Sequence, residues 1–110
     1  AKAISKAVKS LDYPVMLLAS TDMSHYLPDK TARQKDNKAI NKILQINPEG
    51  LYETVLTERI SMCGYLPTTI MLFASKFLEA KSARLVKYMT SGDISGEYDS
   101  VVGYAGIILK

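Results

Sequence analysis

The sequence predicts an α/β fold with a mixed sheet that ends in an antiparallel pair of strands. Residues 15–18 form an uninterrupted apolar run, too short for a helix and followed by small and polar residues. Such a run is typical of a strand buried on both faces of a parallel sheet. Four other segments space their apolar residues as helices do, and two late segments are rich in β-branched and aromatic residues.

The first predicted helix covers residues 1–11, where the apolar side chains of Ile4, Val8 and Leu11 share one face. The predicted strand at residues 15–19 follows, and a loop extends from it to Pro28. A helix followed by a buried strand is typical of the second half of a βαβ unit, whose first strand would lie upstream. We therefore expect the chain to be a fragment of a longer domain.

Three more helices are predicted in the middle of the chain. The first is capped by Asp29 or Thr31 and runs to about residue 46. The second begins at Asn47, a capping residue followed by proline and glutamate, and ends near residue 59. The third, residues 68–78, is apolar nearly all round, which indicates a buried helix.

Residues 84–90 and 101–109 are the two predicted strands of the C-terminal antiparallel pair. Gly103 and Gly106 interrupt the second strand, which indicates close approach of another part of the backbone. The connection between the strands is rich in glycine and aspartate. Its oxygen atoms suit a weak cation site, although the spacing matches no EF-hand.

Composition excludes several classes of function. With 110 residues, 47% of them hydrophobic, the chain suits one small soluble domain. Its formal charge of +3 comes from dispersed lysines that form no patch with aromatic residues, which argues against a nucleic-acid partner. No apolar segment approaches the roughly 20 residues of a membrane span. The single cysteine, Cys63, fits a reducing compartment, so we expect a cytoplasmic protein.

The loop after the predicted strand at residues 15–19 contains Asp22 and the only histidine, His25. In open α/β sheets, ligands bind outside the carboxyl ends of the strands. A carboxylate three residues from an imidazole can orient it, so that the ring binds a metal or transfers a proton. Alternatively, Asp22 forms an Asx-turn and His25 is merely half-buried.

Cys63 is expected just before the N-terminus of the predicted helix at residues 68–78. The partial positive charge there favours the thiolate form, which ligates metals and attacks electrophiles. Alternatively, the cysteine packs as a small buried apolar residue. One cysteine, one histidine and one aspartate make an incomplete metal site, because this chain has no second imidazole. A Cys–His nucleophilic pair is the other arrangement these residues allow.

Four blocks of the sequence carry a family resemblance. STDMSHY (residues 20–26), ISMCGYLP (60–67), TSGDISG (90–96) and SVVGYA (100–105) resemble, in this order, the C-terminal part of the Memo family. Its prokaryotic members are called AmmeMemoRadiSam system protein B, and the family is related in fold to class III extradiol dioxygenases. The resemblance implies that residues 1–110, a single domain or fragment, form the C-terminal portion of a longer three-layer α/β/α domain.

The resemblance also implies a pocket for one metal ion, made by two histidines of the N-terminal portion and one cysteine. Cys63 matches the ligating cysteine, whereas Asp22 and His25 match a lining pair with acid/base roles. A thiolate beside imidazoles suits iron or copper, so redox or dioxygenase-like chemistry is implied for the full-length protein. The two N-terminal histidines have no counterpart here, so we expect an incomplete pocket and no cofactor in this chain alone.

The alternative function is that of a non-catalytic ligand- or peptide-binding protein with a vestigial dioxygenase-like pocket. The expected partners are the missing N-terminal portion of the same protein, a small molecule or peptide, and a radical-SAM protein suggested by the family's name. For the fold, we expect Ser24, His25 and Cys63 to lie on the same side of the sheet. Their side chains would then be close enough to share one ligand.

Overall fold

Five helices and three strands form this α/β protein, and the computed structural model describes all 110 residues. None of the helices is long and apolar enough to cross a membrane. In chain order the elements are α1 (Lys2–Lys9), β1 (His25–Leu27), α2 (Asp29–Leu44), α3 (Pro48–Thr57), α4 (Tyr65–Phe77), β2 (Ala83–Thr90), α5 (Gly92–Ser95) and β3 (Val101–Leu109).

The three strands form one antiparallel sheet in the order β1-β3-β2. Strand β2 pairs with β3 from Ala83 opposite Leu109 to Thr90 opposite Gly103, with one irregularity between Leu85 and Lys87. The predicted antiparallel pair at the C-terminal end is therefore confirmed. Strand β1 is short and pairs only with Val101 and Val102 at the start of β3.

The predicted parallel strand at residues 15–19 is wrong, and with it the mixed sheet. These residues form no regular element, and no backbone–backbone hydrogen bond involves residues 14–20. The Met16 and Leu18 side chains are 89% and 86% exposed. An apolar run becomes a doubly buried strand only where neighbouring strands pair with it, and no strand of this chain does so.

The predicted helices form, with corrections at their ends. Asn47 caps α3 as predicted, because its side chain accepts a hydrogen bond from the Gly50 backbone N–H at 2.9 Å. Helix α2 is preceded by Pro28, so Asp29 is its first residue and not its cap. Helix α4 is only partly buried, with Leu66 and Ile70 50% and 44% exposed, since part of its circumference meets no other element.

A hydrophobic core joins α2, α3 and α4 to the sheet. Its nine buried members are Met23, Ala39, Ile40, Ile43, Leu51, Val55, Ile60, Met62 and Leu72. Ala105, Ile107 and Leu109 of β3 pack against these residues from the sheet. Met23 and Met62 belong to the two segments that carry the candidate site residues, so the core fixes both segments from beneath.

Arg33 joins α2 to the connection between β2 and β3. Its guanidinium donates to Asp29 at 2.7 Å and to both carboxylate oxygens of Asp93 at 2.9 Å. Hydrogen bonds from Arg33 and Thr90 lower the pKa of Asp29 below its ordinary value. Those from the Thr90 backbone N–H and from Arg33 lower the pKa of Asp93.

We expect Asp93→Asn to flatten the dependence of stability on pH in acid. Because the folded-state pKa of Asp93 is lowered, its carboxylate stabilises the fold above the unfolded pKa of about 3.9, and this contribution is lost as the pH falls through the folded-state pKa. Urea unfolding between pH 7 and 3 should show that the free energy of unfolding falls more steeply with decreasing pH in the wild type than in Asp93→Asn. Asp99→Asn, at an exposed position nearby, is the control; equal slopes for Asp93→Asn and the wild type would contradict the prediction.

Candidate functional site

Three of the side chains singled out from the sequence meet at one place. Asp22, His25 and Cys63 each offer a ligand atom, and these atoms all lie within 4.8 Å of one another. The His25 Nε2 and Asp22 Oδ2 atoms are 3.7 Å apart. No other group of three histidine, cysteine or acidic side chains in the chain is arranged in this way. The expected proximity of His25 and Cys63 is thus observed, although they are far apart in the sequence.

The segment that leads to Cys63 fixes the orientation of His25. The His25 backbone N–H donates to Ser61 Oγ at 2.7 Å, and the ring Nδ1 is hydrogen-bonded to the Ser61 carbonyl oxygen. A carbonyl oxygen can only accept, so Nδ1 carries the proton in this bond. The Nε2 atom is then left with its lone pair on the side of Asp22, where it can bind a metal or accept a proton.

Cys63 lies at the turn before α4 and is exposed, so it does not pack as a buried apolar residue. The Asp22 backbone N–H is 3.3 Å from its Sγ, and Thr21 Oγ1 is 3.7 Å away. The sulfur is therefore held against the loop that carries Asp22.

Gly64 permits this contact between the two segments. Its backbone N–H donates to Thr21 Oγ1 at 2.7 Å, and a Cβ at this position would lie 2.5 Å from the Thr21 Cβ. Only glycine allows the backbones to approach this closely. The sequence block around Cys63 therefore contains a glycine next to the cysteine for a steric reason.

A buried carboxylate beneath the site holds the loop in place. Asp36 of α2 is completely buried, and its Oδ1 accepts the Ser24 backbone N–H at 2.9 Å. Its Oδ2 accepts the Tyr88 hydroxyl at 2.6 Å. Burial and this hydrogen bond raise the pKa of Tyr88 above its ordinary value. Gly103 also ties the loop to β3, donating to the Ser24 carbonyl at 2.9 Å and accepting from the Met23 N–H at 2.8 Å.

Sequence analysis missed Asp36, although the sequence contained an indication of it. Asp36 lies four residues after Ala32 and four before Ile40, on the apolar stripe of α2, where a charged residue is unexpected. An acidic residue at a buried helical position needs hydrogen-bond donors, and Ser24 and Tyr88 supply them. Neither donor could be identified from local spacing.

The three donor groups fit a transition metal. A thiolate and an imidazole are ligands of copper, iron and zinc, whereas Mg²⁺ and Ca²⁺ prefer oxygen atoms alone. The exposed side of the cluster leaves room for further ligands, as a catalytic metal site requires. By contrast, the glycine- and aspartate-rich connection before β3 forms no comparable group, and its Asp93 is engaged by Arg33 and Thr90.

Comparisons with known proteins assign the sequence to a family. A family model described as Memo-like protein matches residues 1–108. A MEMO1 family protein of Methanocaldococcus jannaschii is 47% identical over 107 residues, which cover 97% of this chain and 37% of that protein. MEMO1 family proteins of Methanopyrus kandleri and Methanosarcina barkeri are 41% and 43% identical, with 38% and 40% of their lengths matched. The chain thus spans about two-fifths of the curated relatives it matches.

Proposed function

The chain belongs to the Memo-like protein family, and on that premise we propose that it contributes one wall of a metal pocket for redox or dioxygenase-like chemistry. The observation that carries the proposal is the convergence of Asp22, His25 and Cys63 within 4.8 Å. Cys63 is the proposed metal ligand. The remaining ligands belong to the part of the longer polypeptide that this chain does not include.

His25 and Asp22 are proposed to move a proton at the open side of the pocket. Because the His25 Nδ1–H is directed at the Ser61 carbonyl, Nε2 is the atom that takes up or releases the proton. The Asp22 carboxylate, 3.7 Å from Nε2, is the proposed partner in this proton exchange. Iron or copper bound by Cys63 would supply Lewis acidity and one-electron chemistry.

We further propose that the longer polypeptide has the three-layer α/β/α arrangement of extradiol dioxygenases. The packing of α2 against β2 and β3 supplies one helical layer on the sheet. The exposed free thiol of Cys63 supports a reducing, cytoplasmic location. A small molecule is the proposed substrate.

A chimera provides the test, in which this chain replaces the matched segment of the M. jannaschii relative. We expect the chimera to bind one Fe(II) or Cu(I) per chain and Cys63→Ser to weaken binding at least about 100-fold, because the ligand set loses its thiolate. Isothermal titration under argon measures the affinity. Asp12→Asn, at an exposed aspartate outside the cluster, is the matched control.

Oxygen consumption separates the two proposed classes of function. An enzyme should consume oxygen only when loaded with metal, and Cys63→Ser should abolish the consumption. Metal affinity that is equal in Cys63→Ser and the wild type would refute the metal pocket. A metal-independent affinity for peptides, unaffected by Cys63→Ser, would instead favour the non-catalytic binding protein.

A further inference from the structure

Tyr26, the residue after His25, has a strained backbone. Its φ of 56° lies in the left-handed region, which is unfavourable for a residue with a Cβ. The other three non-glycine residues with positive φ, Ile46, Arg59 and Glu79, each directly follow the cap of a helix, where this conformation closes the helix end. Tyr26 ends no helix, so its conformation needs another explanation.

A β-bulge in β1 accounts for the conformation of Tyr26. His25 pairs with Val102 and Leu27 pairs with Val101, so Tyr26 is an extra residue with no position opposite it in β3. The left-handed position of such a bulge is usually a glycine, because a side chain is strained there. A large aromatic residue occupies it here and is 77% exposed, so its ring contributes little to the core.

The bulge also brings the Tyr26 ring next to the candidate site. Successive side chains of a regular strand point to opposite faces, which would separate the rings of His25 and Tyr26. Instead, their centroids lie 6.1 Å apart, with the ring planes inclined by 51°. Ser61 holds the imidazole in place, so the Tyr26 ring lies beside a fixed group and keeps most of its surface in solvent.

We propose that Tyr26 is a substrate-contacting residue of this site, and that its ring stacks on a planar, conjugated group of the small molecule. The inference rests on the proposed function and adds to it the shape of the substrate. Aromatic rings stack face to face, with an offset, on other flat groups, whereas a puckered ring makes less contact with them. Backbone strain persists at functional sites where it serves binding, and the strain at Tyr26 is of this kind.

Stability distinguishes a residue that serves binding from one that serves the fold. Tyr26→Gly should raise the Tm of the metal-free chimera, and of this chain, by about 3 °C, because glycine adopts the left-handed conformation without strain. Tyr104→Gly, at a tyrosine 46% exposed in β3, should lower the Tm of both instead and is the matched control. A lower Tm of the chimera in Tyr26→Gly would show that the ring packs against the rest of the longer polypeptide, and would overturn the proposal.

Two matched carboxylates test the contact itself, by titration of the Fe(II)-loaded chimera under argon. Benzoate and cyclohexanecarboxylate offer the metal the same group and have equally many carbon atoms, but only benzoate has a planar ring. The ratio of their affinities should favour benzoate about 3-fold more in the wild-type chimera than in Tyr26→Gly, because only the wild type has a ring to stack on. Tyr26→Phe keeps the ring and should keep the ratio.

The outcomes separate this proposal from the proposed function. Fe(II) binding with the same affinity ratio in the wild type and Tyr26→Gly would overturn the contact and leave the metal pocket standing. Loss of the ratio in Tyr26→Phe would assign the effect to the hydroxyl group, and would overturn stacking. A chimera that folds but binds no Fe(II) would refute the proposed function, and this proposal with it.

Discussion

Replacing Gly103 with alanine is expected to destabilise the protein by about 3 kcal/mol or more. The added Cβ would overlap Asp36 Oδ2 and lie 3.0 Å from the Tyr88 hydroxyl oxygen. Neither atom can move freely, because the two are hydrogen-bonded to each other and Asp36 is completely buried. The backbone of Gly103 cannot retreat either, since it is bonded to the loop of Met23 and Ser24.

Gly106→Ala, in the same strand, is the matched control. A Cβ at Gly106 would meet nothing closer than the Val86 Cβ at 4.0 Å. We therefore expect Gly106→Ala to lower the free energy of unfolding by less than about 1 kcal/mol. Urea unfolding of both variants gives the comparison. A similar cost for the two substitutions would show that the strand, and not the contact with Asp36, determines the effect.

Asp36→Ala is expected to lower the free energy of unfolding by about 3 kcal/mol, which is the second large effect. The substitution removes the acceptor of the Ser24 backbone N–H and of the Tyr88 hydroxyl, and leaves both donors without a partner. Asp36→Asn should cost less, because the amide oxygen still accepts from Ser24 and the Tyr88 oxygen can accept from the amide N–H. Urea unfolding measures both.

A double-mutant cycle isolates the contact between Asp36 and Gly103. Because the clash disappears with the carboxylate, Gly103→Ala should cost at least about 1 kcal/mol less in the Asp36→Ala background than in the wild type. Asp99→Ala, at an exposed position, is the control for loss of an aspartate and should be nearly neutral. Additive costs in the cycle, or a loss below about 1 kcal/mol for Asp36→Ala, would contradict the assigned contact.

Local patterns in the sequence predicted most of the fold. Helical periodicity located α1 to α4, the Asn-Pro-Glu sequence identified the cap at Asn47, and β-branched residues identified β2 and β3. The same reasoning failed at residues 15–19, since a strand requires hydrogen bonds from distant residues. Sequence indicates that such a segment is suited to a buried sheet, but not whether a neighbouring strand is present.

The sequence predicted which residues form the candidate site but not which groups hold them in place. Motif blocks identified Asp22, His25 and Cys63, which the structure brings together. The Ser61 carbonyl that orients His25 was not predictable, because any residue type offers a backbone carbonyl. The role of Asp36 was hidden for a similar reason, since one of its two donors is a backbone N–H and the other lies on β2.

X-ray absorption at the metal edge of the iron- or copper-loaded chimera tests the central claim most directly. The account predicts a sulfur neighbour at bonding distance in the wild type, its loss in Cys63→Ser and its retention in Asp12→Asn. His25→Gln should also retain the sulfur, because the imidazole is assigned to proton transfer and not to ligation. A wild-type spectrum without sulfur, or one unchanged by Cys63→Ser, would contradict the assignment of Cys63 as the metal ligand.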